Sequence, residues 1–384
     1  MLNFNFKNQT EILFGQGQIA EAKKRLPENA KVLFLYGGGS IKKNGIYDDV
    51  IELLDGVEYA EFSGVEANPT LETLLKAIAL VKEKELNFIL AVGGGSVIDG
   101  AKFVAAGALF DGNAWDIVEK DAFFAKALPI GCILTLPATG SESNSGAVIT
   151  RKETQQKLPF HSSLVQPAFA VLDPVYTYSL PTKQISNGVV DAFVHVVEQY
   201  LTYPVNAPLQ DRFSEGILST LLEEGPKALA EPTNYNVRAN IMWSATMALN
   251  GLIGKGVPQD WATHMIGHEF TVLYGLDHAQ TLAIVLPYLM NVQRVQKKEK
   301  LLQMARRVFA IQDQSDETTI DLVISRVQEF FETMGVQTHL SDYQLDLSAV
   351  KAVVKNLERN NRLTLGEHGD INPAKVTEIL TLAL

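Results

Sequence analysis

The chain has 384 residues, too many for one ordinary core and suited to two domains, and it is 46% hydrophobic and 20% charged, as soluble globular proteins are. Its net charge of -11 excludes a protein that works by non-specific attraction to nucleic acid or anionic membrane. The single cysteine, Cys132, excludes an intrachain disulfide and a multi-cysteine metal site, and it reads as a buried strand residue of a cytoplasmic protein. The N-terminus lacks the charged-then-apolar order of a secretory leader. The most apolar stretch, Phe88 to Phe110, is interrupted by Asp99 and Lys102, so no membrane span is expected.

In chain order, Leu2, Phe4 and Phe6 alternate with polar residues and predict a half-buried strand, with Glu11 to Phe14 as its hairpin partner. Lys31 to Tyr36 and Phe88 to Val92 are continuous apolar runs that end at glycines. Tyr59 to Phe62, Cys132 to Leu136 and Phe169 to Leu172 predict further strands. Helical spacing covers Ile41 to Leu54, Thr70 to Lys84 and Val97 to Leu109. Apolar strands separated by helices predict a parallel sheet covered on both faces, whose ligands bind at the carboxyl ends of the strands. Both glycine loops, Gly37-Gly38-Gly39-Ser40 and Gly93-Gly94-Gly95-Ser96, fall at such ends. Glycines there let backbone N–H groups approach a phosphate, and a following helix N-terminus adds a favourable dipole.

Beyond Pro174 to Pro181 the strand signal disappears. Gln184 to Tyr200, Asp211 to Leu229, Val237 to Leu249 and Glu317 to Met334 read as helices, punctuated at Gly225-Pro226, Glu231-Pro232 and Asn372-Pro373. The expectation is an α/β domain over residues 1–180 followed by an all-helical domain over residues 181–384.

Four of the seven histidines fall in or near two helical patches of that second half. Asp191 and His195 are one turn apart and share a face, with Glu198 close to it. His264 and His268 share a second face, and His278 follows after a turn at Tyr274 to Asp277. Imidazoles with a carboxylate suit zinc, ferrous iron, cobalt or nickel. Spacing does not separate His264, His268 and His278 from one another as ligands.

The motifs together resemble a known family. They are Gly37 to Gly45, Asn68-Pro69, Gly93 to Lys102, Thr139 to Glu142, Asp191 with His195, and Gly256 through His264 and His268 to His278. On these the chain resembles the iron-containing alcohol dehydrogenases over essentially its whole length, nearest to their NADPH-dependent, butanol-dehydrogenase-like aldehyde reductases. The resemblance implies a Rossmann-like dinucleotide-binding domain, then a helical metal-binding and catalytic domain, in the architecture shared with dehydroquinate synthase. It implies Asp191, His195, His264 and His278 as ligands of one divalent metal, zinc or iron. His268 would be unligated and close to the reacting centre, as the catalytic histidine. Gly94, Gly95, Ser96 and Asp99 would serve the cofactor pyrophosphate loop, and Asn68, Thr135, Thr139 and Ser141 would face the dinucleotide. NAD-using relatives carry an aspartate where this chain has Gly39. A loop of Gly37, Gly38, Gly39 and Ser40 without a carboxylate, supported by Lys157, therefore points to NADP(H); Lys42 and Lys43 carry less weight. The implied protein is a cytoplasmic homodimer acting on a small aldehyde or alcohol. Two other enzymes come into question, an NAD-dependent polyol dehydrogenase of the glycerol type and a dehydroquinate-synthase-like lyase. The lyase would need a cationic pocket that Trp261 to His278 lacks. A metal or nucleotide sensor would bind without turnover.

Overall fold

The computed structural model describes residues 1–312 and 314–384. The strands are β1 (Glu11–Phe14), β2 (Lys31–Tyr36), β3 (Glu58–Phe62), β4 (Phe88–Gly94), β5 (Ile130–Leu136), β6 (Gly146–Arg151), β7 (Gln156–His161) and β8 (Phe169–Leu172). The helices of the first half are α1 (Ile19–Ala22), α2 (Ile46–Leu53), α3 (Leu71–Glu83), α4 (Gly95–Gly107) and α5 (Asp116–Glu119). Then come α6 (Thr182–Tyr200), α7 (Pro208–Ala230), α8 (Tyr235–Leu249), α9 (Ala262–Tyr274), α10 (His278–Val292), α11 (Lys298–Arg307), α12 (Asp316–Thr333), α13 (Leu347–Arg359) and α14 (Pro373–Leu382).

Two compact units emerge. The first contains residues 7–180 and 233–246. Its six-stranded sheet runs in the order β1-β8-β5-β4-β2-β3, and every pairing is parallel. Alternate residues of the buried strands feed two cores. Leu33, Leu35, Ile89 and Ala91 pack with α3 and α4, while Val32, Phe34, Phe88 and Leu90 pack with α1 and α2. Burial on both faces is why these strands read as unbroken apolar runs. β2 and β4 end at the two glycine loops, and Cys132 is buried within β5.

The second unit contains residues 1–6, 181–232 and 247–384 and is helical, with only an isolated bridge between Leu365 and Ile371 among its described residues. Two segments lie elsewhere than a simple cut at residue 180 would put them. The stretch 233–246 belongs with the sheet because Met242 enters the sheet core, Arg238 donates to the Thr177 hydroxyl and carbonyl (2.8 and 2.6 Å), and Thr246 donates to Glu142 (2.5 Å). Residues 1–6 belong with the helices, where the Leu2 N–H donates to the Gly256 carbonyl (2.9 Å).

Several expected elements are corrected. Residues 2–6 form no strand: Leu2, Phe4 and Phe6 are 46%, 50% and 44% exposed, and β1 pairs in parallel with β8 instead of closing a hairpin on them. The expected helix from Ile41 begins at Ile46, because Gly39 and Gly45 both take left-handed backbone and a short 3-10 turn at Ser40–Lys42 lies between them. Pro226 lies inside α7, as the expected helix from Asp211 to Leu229 required. The antiparallel hairpin of β6 and β7 was not expected. No helix is long and apolar enough to cross a membrane among the described residues.

Candidate metal centre and cofactor loops

Asp191 and His195 project from one face of α6, buried at 3% exposure each. His264 and His268 come from α9. His278 is the first residue of α10, whose start is fixed by a capping box: Asp277 caps the helix, and the Asp277 N–H donates to the Gln280 side chain (3.0 Å). Asp277 is also tied to α6 by Asn187 (3.0 Å) and Lys183 (2.8 Å). The helix starts therefore aim the rings.

The Nε2 atoms of His195, His264 and His278 lie 3.7, 4.0 and 3.6 Å from one oxygen, Asp191 Oδ1. Donors about 2.1 Å from a tetrahedral cation stand roughly 3.4 Å apart, so this spacing is close to that of ligands around one ion. The ligand atoms of Asp191, His195 and His264 all lie within 4.8 Å of one another. His278, the most exposed of the four side chains, joins them through Asp191. Burial pushes the His195 imidazole down to about 4, so it is neutral at pH 7, the form that ligates a metal. A buried carboxylate facing three imidazole nitrogens fits a dication of the zinc or iron type. His268 is buried, with its ring 5.4 Å from His278 and 6.3 Å from His264.

Glu198 has a larger part than its spacing suggested. One turn beyond His195, it contacts His264 Nδ1 through Oε2, and its Oε1 accepts the Thr263 and His264 N–H groups (2.7 and 3.4 Å). The signal was present as the third residue on the Asp191–His195 face. Trp261, at the start of α9, takes left-handed backbone (φ 62°) and sets its ring edge-on to His264 at 5.4 Å.

In the sheet unit, Gly37 and Gly93 both close on Val97, and a Cβ on Gly93 would come within 2.5 Å of that side chain. Gly95 is obligatory for the same reason, since a Cβ there would lie 2.3 Å from Thr139 Oγ1. Gly94 is the last residue of β4, so α4 opens directly from the loop. Two clusters of expected residues come together. Lys157 donates to Asn68 Oδ1 (2.7 Å), and the Asn68 N–H donates to Ser96 Oγ (3.2 Å). Ser141 donates through its hydroxyl to Asp99 Oδ1 (2.6 Å) and through its N–H to Thr139 Oγ1 (3.2 Å). Thr135 lies inside β5. Lys42 is engaged away from the loop backbone, over the Tyr47 ring (4.5 Å) and 4.0 Å from Glu61; Gly38 and Ser40 are exposed.

Beneath these loops sits Lys102, fully buried, which donates to Asn144 Oδ1 (2.9 Å) and the Gly146 carbonyl (2.7 Å). Asp99 Oδ2 accepts the Val148 N–H (2.9 Å). Burial pushes Lys102 down to about 8 and Asp99 up, each opposed by the other's charge. Lys102 thus holds the segment after β5 against α4, a role that its place in the glycine motif did not reveal.

Residues 9–174 match the family model described as iron-containing alcohol dehydrogenase, and residues 185–384 match the model of that family's C-terminal region. The chain is 59% identical over 374 residues to the NADPH-dependent aldehyde reductase YqhD of Escherichia coli K12, covering 97% of each chain. The crystal structure of E. coli K-12 YqhD superposes with a TM-score of 0.99 at 57% identity, covering 100% of this chain and 99% of that one. The NADH-dependent butanol dehydrogenase A of Thermotoga maritima superposes with a TM-score of 0.96 at 36% identity, with the same coverage.

Proposed function

The chain belongs to the iron-containing alcohol dehydrogenases, and on that premise we propose that it transfers hydride between NADP(H) and a primary alcohol/aldehyde pair, working as a metal-dependent aldehyde reductase. The observation that carries this reading is the set of three imidazole Nε2 atoms within 4.0 Å of Asp191 Oδ1. Asp191, His195, His264 and His278 hold one divalent cation, zinc in the isolated protein with iron as the other candidate, and that cation supplies Lewis acidity toward a substrate oxygen. His268, buried beside His264 and His278, moves a proton to the product alcohol, directly or through water. Gly37 to Ser40 and Gly94 to Ser96 offer backbone N–H groups to the cofactor phosphates, with Asn68 and Lys157 alongside. Asp99, Thr135, Thr139 and Ser141 bind and orient the dinucleotide. The protein works in the cytoplasm as a homodimer.

The test is NADPH oxidation across a panel of short aliphatic aldehydes, with metal analysis and sedimentation of the same preparation. Turnover together with about one equivalent of metal is expected. Cofactor binding without turnover on any aldehyde would favour a sensor.

Cofactor preference has its own test. Gly39 has φ 90°, and nothing lies within 4 Å of where its Cβ would be. Aspartate tolerates left-handed backbone better than most residues, so Gly39→Asp keeps the fold while adding a carboxylate beside the expected 2′-phosphate. NADPH should lose about 10- to 100-fold in kcat/KM relative to NADH, about 1.4 to 2.7 kcal/mol of like-charge repulsion. An unchanged ratio would move the 2′-phosphate elsewhere.

A further inference from the structure

An imidazole can give a lone pair from only one nitrogen while it carries a proton on the other. The Nε2 atom of His264 faces Asp191 Oδ1, so its proton must sit on Nδ1 if Nε2 is to ligate. Nδ1 meets Glu198 Oε2. The other Glu198 oxygen already accepts two backbone N–H groups, from Thr263 and His264. Two backbone N–H groups thus converge on Oε1 of this buried side chain, and the His264 ring nitrogen meets its Oε2. Its backbone is fixed as well, since the Glu198 carbonyl accepts the Asp260 N–H (2.9 Å). Asp260 in turn caps the first turn of α9 through Ala262 (2.9 Å) and is held by buried Lys297 (2.6 Å).

We infer that Glu198 is a positioning residue that sets the tautomer of His264, and with it the protein's grip on the metal. The inference rests on the ligand assignment proposed above. Glu198 touches neither the ion nor the substrate; it acts through the ring. Removing such a partner from a ligating histidine costs about 10- to 100-fold in metal affinity.

The informative variant is Glu198→Gln, which has the same shape and the wrong polarity. If the amide oxygen keeps the two backbone N–H groups, the NH2 group faces Nδ1. The ring must then accept at Nδ1 and carry its proton on Nε2, pointed at the ligand position. If the amide flips, its NH2 group faces the Thr263 and His264 N–H groups, donor against donor. Both arrangements penalise the tautomer that ligates.

The experiment compares zinc content and the rate of zinc release to a chelator in the wild type, Glu198→Gln and His264→Ala. Glu198→Gln should release zinc about 10- to 100-fold faster than the wild type, with NADPH binding by fluorescence unchanged. Wild-type release from Glu198→Gln overturns the inference. A wild-type protein that takes up no added zinc overturns the ligand assignment itself, and the inference with it. Should the variant fold poorly, the tautomer is read in the metal-free wild type with 15N-histidine labelling. His264 should show the Nδ1–H form, and an Nε2–H form overturns the inference.

Discussion

Replacing Asp191 with alanine is expected to give a folded protein that holds no metal and reduces aldehydes at least about a thousandfold more slowly, a loss of about 4 kcal/mol in the barrier term. Asp191 is the hub of the set: its Oδ1 is the atom around which the three Nε2 atoms gather. It is also the only anion among the four proposed ligands, so its loss removes the charge that draws a dication into a buried position. The fold should survive. His195 is neutral at pH 7, so the substitution does not strand a buried cation beside it, and the alanine stays within the nineteen-residue helix α6. Metal content and NADPH-dependent turnover, measured on the same sample with circular dichroism as the fold control, decide the matter. Wild-type turnover by this variant after exhaustive chelation would remove the metal from the reaction.

The second large effect lies in the sheet unit. Lys102→Met keeps the length of the buried chain but leaves Asn144 Oδ1 and the Gly146 carbonyl without their ammonium donor, and Asp99 without its neighbouring cation. Breaking one side of a buried ionic cluster costs about 3 to 5 kcal/mol. NADPH affinity should fall as well, because the segment from Thr139 to Val148 is the one that Lys102 and Asp99 hold against α4. The pH dependence gives a sharper signature. Burial takes the Lys102 ammonium from its ordinary 10.5 down to about 8. Between those values the unfolded chain binds more protons than the folded one, so this group makes stability rise with pH from about 8 towards 10.5. Below 8 its burial cost is fully present. Denaturant unfolding at pH 7 and pH 9.5 should therefore show a wild-type gain that Lys102→Met lacks. Parallel pH curves for the two proteins would mean that the folded state keeps the Lys102 ammonium through pH 9.5, with no downward shift on burial.

Much of the framework was legible in the sequence because burial on both faces leaves a plain mark. The runs at Lys31–Tyr36 and Phe169–Leu172 match the strands residue for residue, and the glycines after β2 and in β4 lie at the carboxyl end of the sheet as expected. Alternation misled at the N-terminus. Leu2, Phe4 and Phe6 satisfy the period of a strand, but a period does not say whether a free sheet edge is within reach, and the edge beside β8 is taken by β1. The β6–β7 hairpin escaped because β7 mixes Gln156, Lys157 and His161 with Pro159, and its turn, Lys152 to Gln155, has no glycine or proline; Gln155 itself takes the left-handed backbone. In the candidate site, the scarcity of histidine marked both patches. What could not be read was which nitrogen of His264 meets which oxygen. The Glu198–His264 bond joins positions 66 residues apart, and local periodicity carries no information over that distance.

His278 opens α10 directly after the Gly275 turn and the Asp277 cap. Sliding the start of a helix by a single residue turns every side chain on it by about 100°. One amino acid gained or lost between Tyr274 and Asp277 would swing that imidazole out of reach of Asp191, whatever the chemistry of the residue. Drift in chain length over evolution is thus barred from this short joint, even though it lies at the surface, where connecting segments usually vary freely. A family tree of this enzyme should show its insertions elsewhere.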